Sequence, residues 1–95
     1  DISFQSLEPT AAAVTNKVRL GEADAGLTFA TEGVASEGAT EVVELPEGVD
    51  AVSDYPMAVA ATGSTGELAR AFADFVLSDD GQRVLTDCGF GPPPP

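Results

Sequence analysis

The residues of this 95-residue chain that can do chemistry say as much by what they exclude as by what they supply. There is no histidine, and Cys88 is the one cysteine. An internal disulfide is therefore impossible, and a zinc site of the usual ligand types is not expected. No nucleophile–base pair and no phosphate-cradling glycine loop can be picked out. The pattern predicts a protein that is not an enzyme and holds no cofactor. What remains are carboxylates and hydroxyls. Glu32, Glu37, Glu41, Glu44, Glu47, Asp50 and Asp54 share one stretch without a basic residue. Such a run is either a solvated face or a cation site, and its carboxylates lack the regular spacing of a calcium loop.

Charge narrows the partners. Sixteen acidic residues against four basic ones give a formal net charge of -12. That balance argues against nucleic acid and anionic membrane surfaces. It also means that any anion must be held by local dipoles and neutral donors, since the overall field repels it. The acidic, lysine-poor composition fits either a protein kept soluble at high salt or an ordinary acidic protein from a GC-rich genome. No run approaches the ~20 apolar residues of a membrane span.

The elements that position these groups follow from periodicity and punctuation. Ile2 to Leu7 reads as a short strand. A helix follows, opened either by Pro9 at its first position with Glu8 before it, or by Thr10 as cap. Ala11, Val14 and Val18 line one helical face, and Lys17 and Arg19 occupy the last turn. Gly21 is placed to close it. Glu22, Ala23 and Asp24 suit a surface turn, and Ala25 to Ala30 suits a strand covered on both faces. Residues 2 to 30 thus read as a strand–helix–strand unit with a right-handed crossover.

Beyond it, Thr31 is placed to cap one short helical turn through Ala35. Thr40 to Leu45 reads as a strand and Pro46-Glu47-Gly48 as a turn. Asp54 to Ala61 reads as a further apolar strand, with Pro56 at its start or on an edge. Leu68, Ala71, Phe72, Phe75 and Val76 recur at helical spacing after the Gly63–Gly66 loop. Ser78 breaks that helix and caps the next, with Asp79 and Asp80 in its first turn. Val84 and Leu85 carry the apolar side of this last helix, and Gly89 closes it.

Three stretches carry a resemblance. The first runs from Glu8 through Leu20-Gly21-Glu22-Ala23-Asp24-Ala25-Gly26-Leu27-Thr28-Phe29. The second is Tyr55-Pro56-Met57-Ala58-Val59. The third runs from Ala69 through Asp74-Phe75-Val76-Leu77-Ser78-Asp79-Asp80-Gly81-Gln82 to Gly89-Phe90-Gly91-Pro92. In this order they resemble the C-terminal portion of the periplasmic molybdate/tungstate-binding proteins of ABC transporters. The third motif alone is shared with iron- and other solute-binding relatives.

The resemblance implies an α/β chain that forms part of a two-lobe type II periplasmic-binding-protein fold. Residues 1–30 would be the last part of the second lobe. Residues 31–54 would be an acidic crossover through the hinge, and 55–95 the returning strand, helical pair and Pro-rich tail of the first lobe. The native start would lie upstream. The implied function is capture of a tetrahedral oxyanion, molybdate or tungstate, outside the membrane, with an ABC permease as partner. Such an ion is held by backbone N–H groups and neutral hydroxyls, because helix N-termini present free donors and partial positive charge.

Two family ligand positions fall on Ala11, through its backbone N–H, and on Phe29, where the family usually has Tyr. Phe29 can wall a pocket but cannot donate, so Thr28 or Thr31 would have to replace that donor; Thr10 flanks Ala11. A second reading keeps the chain as a stand-alone acidic α/β interaction module without ligand, paired with a copy of itself in place of the missing lobe.

Overall fold

The computed structural model describes residues 2–49 and 51–95. Among them the regular elements are four helices: α1 Ala11–Arg19, α2 Ala30–Ala35, α3 Gly66–Leu77 and α4 Asp79–Asp87. They fall into two units, Asp1–Glu44 with α1 and α2, and Leu45–Pro95 with α3 and α4.

In the first unit, Thr10 decides between the two openings expected for α1. Its backbone is extended and its hydroxyl accepts the Ala13 N–H at 3.2 Å, so Thr10 is the cap and Pro9 lies outside the helix. Lys17 and Arg19 sit in the last turn, where the carbonyl ends of the helix favour cations. Beyond it, the Gly21 N–H reaches the Val18 carbonyl and the Glu22 N–H the Lys17 carbonyl. This crossed pair is a Schellman closure, and it needs the left-handed backbone that Gly21 adopts at φ 74°. The chain then folds back on α1. A β-carbon at Gly26 would stand 2.6 Å from Val14 Cγ1 and 3.2 Å from Val18 Cγ2. The apolar face of α1 therefore packs directly on this segment, and only glycine permits the approach.

The second unit turns on Ser78, which ends α3 and caps α4. Its hydroxyl accepts the Gly81 N–H at 3.2 Å, satisfying one donor of α4's first turn. Gln82 reinforces the corner by donating its side-chain amide to the Val76 carbonyl at 2.7 Å. Gly81 is buried there, and a β-carbon on it would collide with the Phe75 and Val76 carbonyls. The end of α4 repeats the closure seen in α1: Gly89 N–H to Thr86, and Phe90 N–H to Leu85. Phe90 then meets Tyr55 edge to face, ring centroids 5.8 Å apart.

Several sequence expectations require correction. Strands were expected at Ile2–Leu7, Ala25–Ala30, Thr40–Leu45 and Asp54–Ala61, yet no ladder forms among the described residues. The β-type pairing present there is an isolated bridge between Glu37 and Thr40. The physical reason is that strand character is completed only by a neighbouring strand's N–H and C=O groups, and none runs alongside these segments. Ala30 belongs to α2, and the residue capping α2 is Phe29 instead of Thr31. The turn at Pro46-Glu47-Gly48 forms, closed by the Val49 N–H on the Pro46 carbonyl at 3.0 Å. Asp50 of the acidic run and Asp1 lie outside the described residues.

Burial is slight. Among the described residues no hydrophobic side chain is buried. On α3, Leu68, Phe72 and Phe75 stay 71, 62 and 53 % exposed. The accessible surface is 8191 Å² for a 9.6 kDa chain. Even two separately compact halves of that mass would expose only ~6,100 Å².

Candidate functional site

The opening of α1 brings together three of the four residues expected at the site. Thr10 supplies the cap, and its hydroxyl is occupied by the Ala13 N–H. Ala11 is the first helical residue, so helix geometry leaves its N–H and that of Ala12 without intrahelical acceptors. The Thr28 hydroxyl lies 3.5 Å from the Ala11 carbonyl, at the long limit for a donor. The Thr15 hydroxyl donates to the same carbonyl at 3.3 Å. Thr28 is thus seated beside Ala11 through a contact that spans seventeen positions of sequence. Phe29 follows as the residue before α2, its carbonyl accepting the Glu32 N–H at 3.0 Å. The residue is 49 % exposed.

The electrostatics of this opening suit an anion locally. The first turn of α1 holds no acidic residue, so no carboxylate of that turn competes for its positive end. Glu8, just upstream, is engaged elsewhere: it accepts the Ser6 hydroxyl at 2.6 Å and pairs with Lys17 at 3.6 Å. Lys17 also bonds Glu22 at 3.0 Å. The Glu22 hydrogen bond and charge, followed by the charge of Glu8, raise the Lys17 ammonium above its ordinary value. Sequence reading gave Lys17 only a role at the helix end. Its bridging role depends on the Schellman turn, which returns Glu22 alongside it.

Other candidate features lie apart from this opening. An open groove of about 560 Å³ runs between Ala12, Asn16 and Arg19 on one side and Glu32, Ser36 and Glu37 on the other. Thr10, Ala11, Thr28 and Phe29 do not line it. Its guanidinium is engaged, since Arg19 donates to the Asn16 side-chain oxygen at 2.7 Å. Among the described residues, no group of three or more His, Cys, Asp or Glu side chains could hold a metal ion. Cys88, at the end of α4, is exposed and free. No helix is long and apolar enough to cross a membrane among the described residues.

Comparison with known proteins agrees with the resemblance. Over 80 residues the chain is 36% identical to the molybdate-binding protein ModA of Mycobacterium bovis. The same identity is found to ModA of two strains of Mycobacterium tuberculosis. The match covers 84% of this chain and 31% of each relative, so the chain spans about a third of their length. No solved structure matches it. The profile of the bacterial extracellular solute-binding proteins matches residues 3–91. With nearly its whole length matched, the chain belongs to the bacterial extracellular solute-binding protein family.

Proposed function

We propose that this chain is part of the solute-binding component of an ABC importer, acting in the periplasm or at the cell surface and capturing molybdate or tungstate. The observation that carries the reading is the 36% identity to molybdate-binding proteins across 84% of the chain. The free N–H groups at the opening of α1 support it, because they offer a tetrahedral oxyanion donors and partial positive charge without a lysine or arginine. Capture and release need no bond making, so the role is not enzymatic.

In this reading Ala11 gives its backbone N–H to the ion, Thr10 holds the helix start, Thr28 stands beside it as a hydroxyl donor, and Phe29 walls the pocket. Residues 1–30 end the second lobe, 31–54 cross the hinge, and 55–95 complete the first lobe. The rest of a longer protein supplies the remaining donors. It also covers the apolar side chains left exposed here, and the four expected strand segments find their partners there.

Ala11→Pro tests the central contact in a longer protein carrying this segment. Proline is tolerated at the first helical position and removes only the N–H. Thr10 already has the extended backbone, φ -137° and ψ 153°, that a following proline requires. Loss of one charge-assisted hydrogen bond costs about 1.5–3 kcal/mol, roughly a tenfold to hundredfold weaker affinity for molybdate. Circular dichroism is expected to show unchanged helix content. Unchanged affinity would remove Ala11 from the site.

A further inference from the structure

We draw no further inference here: the strongest candidate, the exposed apolar row of Leu68, Phe72 and Phe75 along α3, carries nothing because nothing in the structure shows what covers it beyond the longer protein already proposed.

Discussion

In the proposed reading, Phe29 stands where the resemblance implies a Tyr donor. A phenyl ring cannot donate, so the site as proposed relies on Ala11 and on hydroxyls such as Thr28. Restoring a donor with Phe29→Tyr is expected to tighten molybdate binding roughly tenfold or more, the worth of one hydrogen bond to a charged group. Calorimetry of the longer protein reads this directly, and an unchanged affinity would mean that the ring does not face the ion. Lys17 makes a different residue-scale prediction. Its ammonium is raised by Glu22 and Glu8, so the stabilisation it gives is fully present below its ordinary value of 10.5. That stabilisation disappears as pH rises through the still higher folded value. Thermal melts should therefore show a loss of stability above about pH 10.5 that Lys17→Met lacks. The contact of Thr28 with Ala11 was not visible as such in the sequence. It arises only once the Schellman turn at Gly21 sends the chain back along α1.

At the scale of elements, helices were legible and strands were not, for one reason. A helix is decided by near neighbours: Thr10 and Ser78 accept an N–H three residues on, and Gly21 and Gly89 close their helices with bonds inside six residues. Those signals sit within the stretch being read. The expected strands at 2–7, 25–30, 40–45 and 54–61 depend on partners that no local pattern names. Phe29 as the cap of α2 shows the limit from the other side. Thr31 has the better capping chemistry, yet α2 starts ahead of it. The corner between α3 and α4 gives the testable case. Ser78→Ala removes the acceptor for Gly81 and is expected to cost about 1 kcal/mol, whereas Ser78→Gly should cost only a few tenths. Urea unfolding of the longer protein distinguishes the two, and equal losses would show that the hydroxyl does not act as a cap.

For the molecule as a whole, the missing burial is the main fact. The strand segments without a ladder and the lack of buried apolar side chains among the described residues, with the large accessible surface, are what the proposed longer protein would account for. The relatives it matches are about three times as long. Composition alone did not reveal this, because 43% hydrophobic residues is ordinary for a self-contained domain. The alternative, an acidic module that pairs with a copy of itself, supplies cover but no oxyanion site. The most direct measurement is titration of molybdate into two proteins, the 95-residue chain and the same chain extended by its upstream coding sequence. The account predicts one molybdate per extended chain, with little heat from sulfate and none from the 95 residues alone. Tight binding by the short form, or no binding by the extended one, would contradict it.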